Sequence, residues 1–423
     1  MRPSLSPGRR ARLFLCSLLG LAVLGSAPAW AETDVSTELT LGALFDNNAA
    51  LGRRGQFGAD AVVDVTSVVG ARTDLVTTLG DRARFTLFGK LRSEEGRWRQ
   101  YLRNTELTLK PGFDIDLTKM MTLRPELSFK LHREVEEIWG YLEVKPGLTY
   151  TLHTKRGVIL EAGYNFTASI YDSHALTNTY ANVDKLAHLG TLALKIWQTQ
   201  FVRWQIKGEV EHQTYDHNLA FKLARIMFAP IEEYNDPDVD ERVVPRDRKD
   251  LIARGELEFL TVPWKFFGLA VGYRFEFDNS NLDAFQSISH GPRLAAVFRM
   301  GRHEAFLEGR VTFYDFYRFR FDVRYQDTRK DMKTELFAAY QFAITKSLKI
   351  GLKATFLRND SNDAATFPDG TYRFNPDLSR SYSLYQGTRI EAYLTYRWNT
   401  STGKTPPPKK KDDEVPGTIL ADR

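Results

Sequence analysis

Hydrophobicity alternates with a period of two along the chain from Val35 to Trp398, and few segments carry helical spacing. In Val202-Arg203-Trp204-Gln205-Ile206-Lys207-Gly208-Glu209-Val210 every even residue is apolar or glycine and every odd one is charged or polar. That pattern describes a strand with one dry face and one wet face. The stripe recurs at Phe267, Leu269, Val271, Tyr273, Phe275 and Phe277, and again at Leu348, Ile350, Leu352, Ala354 and Phe356. Such strands exceed the five or six residues usual in globular sheets and match the roughly 9 to 11 that a tilted strand needs to cross a bilayer. A soluble sandwich would show shorter strands and no systematic contrast between its two sets of connections. The pattern therefore predicts an all-β chain closed into a transmembrane antiparallel β-barrel.

Following the stripe predicts strands over 33–46, 55–69, 82–92, 99–117, 121–132, 139–152, 157–170, 185–197, 201–214, 249–260, 264–277, 290–300, 304–325, 332–344, 346–357 and 387–398. That makes sixteen strands, with fourteen or eighteen also compatible. Very short turns such as 118–120, 198–200 and 301–303 alternate with long connections such as 171–184, 215–248 and 358–386. Short turns on one rim and long loops on the other are the outer-membrane arrangement, which places both termini on the periplasmic side. The stretch 70–81 is too long for a turn on this scheme. Two aromatic girdles are expected, with Trp197, Phe201, Trp204, Trp264, Phe266, Phe267 and Trp398 near the short turns. Tyr164, Phe166, Phe275, Phe277, Phe313 and Phe356 form the other.

The first residues read as a leader. Arg2, Arg9, Arg10 and Arg12 precede an apolar run from Leu13 to Gly25, and Ala29-Trp30-Ala31 is a small-x-small cleavage site. Residues 1–31 are read as a secretory signal peptide, 32–399 as the barrel and 400–423 as a disordered periplasmic tail. The formal charge of +5 includes four leader arginines, so the basic balance belongs mostly to the leader. No basic excess remains to bind nucleic acid by releasing counterions. Cys16, the one cysteine, lies in the same segment and leaves the barrel without disulfide or thiol chemistry.

With the apolar face toward lipid, the lumen is charged. Its cations include Arg82, Arg84, Arg203, Lys207, Arg254, Arg274, Arg293 and Arg310, interleaved with acids such as Glu209, Glu211, Glu256, Glu258, Glu276, Glu308 and Glu391. Most are expected to pair across strands, and the basic excess in this set points to a modest preference for anionic solutes. Arg318, Arg320 and Arg324 share one face at the end of a long strand and are candidates for a pore mouth, for contact with lipopolysaccharide phosphates, or for pairing with acids. In the 215–248 loop, Leu219, Leu223, Ile226 and Met227 have helical spacing, which suits a gate over the lumen or an outward extension of the preceding strand. Asp236, Asp238 and Asp240 resemble the start of a calcium loop, but the turn glycine is missing, so no metal or other cofactor is expected. Asp172-Ser173-His174 is a polar loop cluster of ordinary composition, and no enzyme is expected. The tail from Thr405 to Glu414 combines prolines with charge blocks, a spacer that projects toward the periplasm and any partner there.

The last strand carries apolar residues at every second position, Ile390, Ala392, Leu394, Tyr396 and Trp398, and resembles the assembly signal that the barrel-assembly machinery reads in outer-membrane proteins. In that pattern the aromatic normally ends the chain, whereas 25 residues follow Trp398. In strand number and wet lumen the chain resembles the porin-like class of outer-membrane barrels, embedded among outer-membrane lipid and lipopolysaccharide. Unlike general porins, it has a very short third long-side loop, at 133–138. The resemblance implies a pore or export conduit for charged solutes or a polymer such as polysaccharide. The competing expectation is a structural or adhesion barrel with a plugged lumen.

Overall fold

The computed structural model describes residues 32–46, 64–96, 104–134, 141–154, 157–171, 185–215, 249–281, 286–320, 328–361 and 385–401. These form sixteen strands: β1 (Glu32–Asp46), β2 (Asp64–Leu79), β3 (Ala83–Gly96), β4 (Asn104–Thr118), β5 (Met121–Glu134), β6 (Tyr141–His153), β7 (Val158–Tyr171) and β8 (Lys185–Thr199). The chain continues through β9 (Val202–Tyr215), β10 (Lys249–Trp264), β11 (Phe267–Ser280), β12 (Ser287–Met300), β13 (His303–Arg320), β14 (Thr328–Ala343), β15 (Leu348–Ser361) and β16 (Tyr385–Ser401). Each strand pairs antiparallel with its sequence neighbours, and β1 pairs with β16 to close the barrel. Closure satisfies every strand edge, as a sheet within hydrocarbon requires.

The alternation in sequence becomes an alternation in space. Leu41, Leu192, Ile206, Val210, Leu257, Leu307 and Ile350 are exposed on the outer surface, while their sequence neighbours point inward. Exposure of so much apolar surface is incompatible with water and suits a bilayer. Glu32 pairs with Thr78, next to the turn that joins β2 to β3, so the described N-terminal end lies on the rim of short turns. Asp34 pairs with Ser401, which puts the described C-terminal end on the same rim.

Three details correct the expectation. The second strand is described over Asp64–Leu79 and so continues through 70–79, which the sequence pattern reads as part of a turn, and the turn is confined to Gly80-Asp81-Arg82. Gly70-Ala71-Arg72-Thr73-Asp74 lacks large apolar residues and so reads as a turn, yet Arg72 and Asp74 are wet-face residues bonded to each other at 2.9 Å. The chain reverses at Gly80, whose φ of 72° is a conformation glycine adopts without strain. Trp197 belongs to the inner face instead of the girdle, since it packs on an interior cluster. That cluster is the third correction: Leu260, Ala270, Ala295, Val297 and Phe306 make part of the inner wall apolar. The remaining girdle residues follow the pattern, with Trp204, Trp264, Phe266 and Trp398 exposed on one side and Tyr164, Phe275 and Phe313 on the other.

Candidate functional site: the lumen wall

Inward residues of adjacent strands meet at the registers set by β9 to β13, and their long side chains pair diagonally. Glu258 on β10 accepts Arg203 Nη2 from β9 at 2.9 Å and Arg293 Nη1 from β12 at 3.0 Å. Arg293 Nε then donates to Glu308 on β13 at 2.9 Å. Arg203 also lies 5.6 Å from the Trp197 ring centroid, a cation–π contact that covers its second face. Arg203 and Glu258 retain only 7% and 5% of side-chain exposure, so neither charge is solvated by bulk water. Such ions hold only because each neutralises the other. Farther from the short-turn rim, Arg254 is held by Glu211 and Glu276, and Glu276 also accepts Arg274 Nη2 at 2.9 Å.

A second set straddles the closure of the barrel. Arg92 and Glu94 sit on β3, and Arg389 and Glu391 on β16, with β1 and β2 between them. Arg92 reaches Glu391 at 2.9 Å and Glu94 at 2.8 Å, and Arg389 reaches Glu94 at 3.2 Å. The intervening strands place Gly42 and Gly70, which carry no side chain, under part of the span. Leu44 and Val68 are buried there. The result is a strap of alternating charge across the β1–β16 seam. Beside it, Tyr393 lies over Gly351, where a Cβ would fall 2.3 Å from the ring, and its hydroxyl accepts Gln341 Nε2 at 2.6 Å.

Glu94 and Asp74 lie beyond the strand ends read from sequence, and both are inner-wall carboxylates paired with arginine. Of the expected site residues, Arg203, Arg254, Arg274 and Arg293 belong to the paired network, and Lys207 pairs with Glu209. Arg84 lies in register with Asp114. Arg310 approaches Glu308 only to 3.7 Å. Arg82 stands exposed in the short turn between β2 and β3, where its carbonyl accepts the Asp116 N–H at 2.7 Å. The backbone of Arg318 and Arg320 lies in β13, described over His303–Arg320, and 321–325 of the predicted strand lie outside the described residues. Arg324, the loop residues Leu219, Leu223, Ile226 and Met227, the aspartates at 236–240, Asp172-Ser173-His174, the leader and the tail lie outside the described residues. Ile390, Ala392, Leu394, Tyr396 and Trp398 all point outward from β16. Among the described residues no three His, Cys, Asp or Glu side chains converge to hold a metal.

No family model matches the sequence, and no curated protein is significantly similar to it. Among solved structures, the chain is similar in fold to outer-membrane expressed OmpT of Vibrio cholerae, at 9% identity over 88% of this chain and 99% of that one, with a TM-score of 0.44. It is also similar to OccAB3 of Acinetobacter baumannii, at 8% identity over 88% of this chain and 100% of that one, with a TM-score of 0.44. An anion-selective porin from Comamonas acidovorans aligns at 9% identity over 87% of this chain and 100% of that one, with a TM-score of 0.42. By its closed sixteen-strand antiparallel sheet, apolar outer surface and charged inner wall, the chain is an outer-membrane β-barrel of porin-like architecture.

Proposed function

We propose that the barrel is a passive pore for small charged and hydrophilic solutes, with the rim of short turns facing the periplasm. The observation that carries this reading is the inner wall of paired arginines and carboxylates in a closed barrel of sixteen strands. At that strand number wall side chains alone do not fill the interior, and a polar interior holds water. The paired wall offers a solute hydrogen bonds while presenting little net charge, so conduction is expected to discriminate only weakly between anions and cations. In this reading the outward stripe ending at Trp398 is what the assembly machinery engages, and lipopolysaccharide surrounds the long-loop rim.

Conductance of the purified, folded chain in a planar bilayer tests the proposal. Stepwise ohmic insertions are expected. Absence of current across a range of voltages, both in the full chain and in a variant lacking 216–248 and 362–384, would sink the pore reading in favour of a plugged barrel.

A further inference from the structure

The ladder between β12 and β13 skips Gly291 and Pro292, and pairing resumes at Arg293 with Arg310. Proline has no N–H to donate there. A Cβ at Gly291 would fall 1.8 Å from the Val311 carbonyl, so this backbone approach admits only glycine. Without a side chain at Gly291, the wall retains a cavity of about 220 Å³ lined by charged residues of β10 to β14, among them Glu256, Arg274, Arg293, Arg310, Lys333 and Glu335. At roughly 30 Å³ per water, that is room for about seven waters or a small organic solute.

Most of these charges are already matched. Arg293 lies on Glu258 and Glu308 at 3.0 and 2.9 Å, Arg274 on Glu276 at 2.9 Å, and Lys333 on Glu335 at 3.0 Å. Two are not. Arg310 meets Glu308 only as an ion pair at 3.7 Å, beyond hydrogen-bond distance, and Glu256, although in register with Lys207 and Arg274, has no cation within 4.0 Å among the described residues. One cavity thus presents a guanidinium and a carboxylate that do not serve each other. Glu256 on β10 and Arg310 on β13 are separated by three strand spacings, roughly 14 Å between backbones before their side chains reach inward.

We infer that this cavity binds small zwitterions whose ammonium and carboxylate are several bonds apart. The ligand carboxylate forks onto the Arg310 guanidinium, and the ammonium meets Glu256. A dianion is opposed by Glu256 and a simple cation by Arg310. The inference deepens the pore reading, because it names a solute that the lumen would retain on its way through.

Calorimetric titration of the full folded chain in detergent tests it, with 6-aminohexanoate, hexanoate and inorganic phosphate as probes. The expected result is that 6-aminohexanoate binds about tenfold more tightly than either other probe. Arg310→Gln is expected to weaken 6-aminohexanoate about tenfold, and Glu256→Gln to abolish its advantage over hexanoate. Equal binding of all three probes, or binding of 6-aminohexanoate that neither substitution changes, would overturn the inference. Stepwise conductance with no 6-aminohexanoate binding overturns the zwitterion site and leaves the pore intact. Binding without conductance does the reverse.

Discussion

Glu258→Gln probes whether the buried charges of the wall stabilise the barrel through their pairing. Glu258 is shared by Arg203 and Arg293 at 2.9 and 3.0 Å, and its own side chain is only 5% exposed. The substitution conserves volume and leaves one amide oxygen to accept a hydrogen bond, so cavity formation contributes nothing to the outcome. What is lost is the counter-charge of two guanidiniums. Removing one partner of a buried pair costs about 3–5 kcal/mol. Arg293 keeps Glu308 at 2.9 Å, which places the expected loss near the lower bound, about 3 kcal/mol or two orders of magnitude in the unfolding constant. Equilibrium urea unfolding in lipid vesicles, followed by tryptophan fluorescence, measures this, and Trp197 beside Arg203 reports the same region. Glu126→Gln is the control, because Arg124 and Glu126 are 47% and 36% exposed and a solvated pair is worth at most about 1 kcal/mol. If Glu258→Gln unfolds within about 1 kcal/mol of the wild type, or no more readily than Glu126→Gln, the buried pairing does not stabilise the wall as argued.

Two further outcomes are expected. Across the seam, Arg92→Gln and Glu391→Gln should show a coupling of about 1 kcal/mol in a double-mutant cycle by the same unfolding assay, whereas strictly additive effects would mean that the strap carries no interaction energy. On the outer surface, Leu192 is 56% exposed near the middle of β8, so Leu192→Arg should cost about 2–4 kcal/mol in vesicles. A neutral result there would mean that this face does not meet hydrocarbon.

Strand number and facing were legible because a two-residue period survives local variation in composition. In β9 the apolar residues Trp204, Ile206 and Val210 face out, while Arg203 and Lys207 face in, as their order predicts. The period fails as a guide where the outward residues are small. Gly70 and Ala71 hid the middle of β2, and the reversal at Gly80 became visible only through its positive φ. It is also silent about what lies inside. Leu260, Ala270 and Phe306 are as apolar as the outer stripe, and only the register places them on the inner wall. Pairing partners were the least legible feature. Arg92 and Glu391 are 299 residues apart and come together only through the closure of β1 on β16, which no local pattern signals.

The arrangement of charge along the wall bears on selectivity more than its sum does. Arg92 and Glu94 alternate in sign on β3, as Arg389 and Glu391 do on β16, so opposite charges follow one another at about 7 Å along a strand. That spacing is shorter than the Debye length of roughly 8 Å at physiological ionic strength, and fields that reverse over such distances cancel toward the axis. A solute near the centre of the lumen would therefore feel little net potential. Discrimination then has to arise at the wall, where a solute comes within hydrogen-bonding reach of a group not already matched. Arg310 and Glu256, which make no hydrogen bond to an opposite charge among the described residues, come nearest to that condition, whereas Arg203 and Arg254 are hydrogen-bonded to their carboxylates. It follows that deleting Arg310 should alter which solutes are retained more than deleting the better-bonded Arg254, whose loss should instead be read in the stability of the barrel.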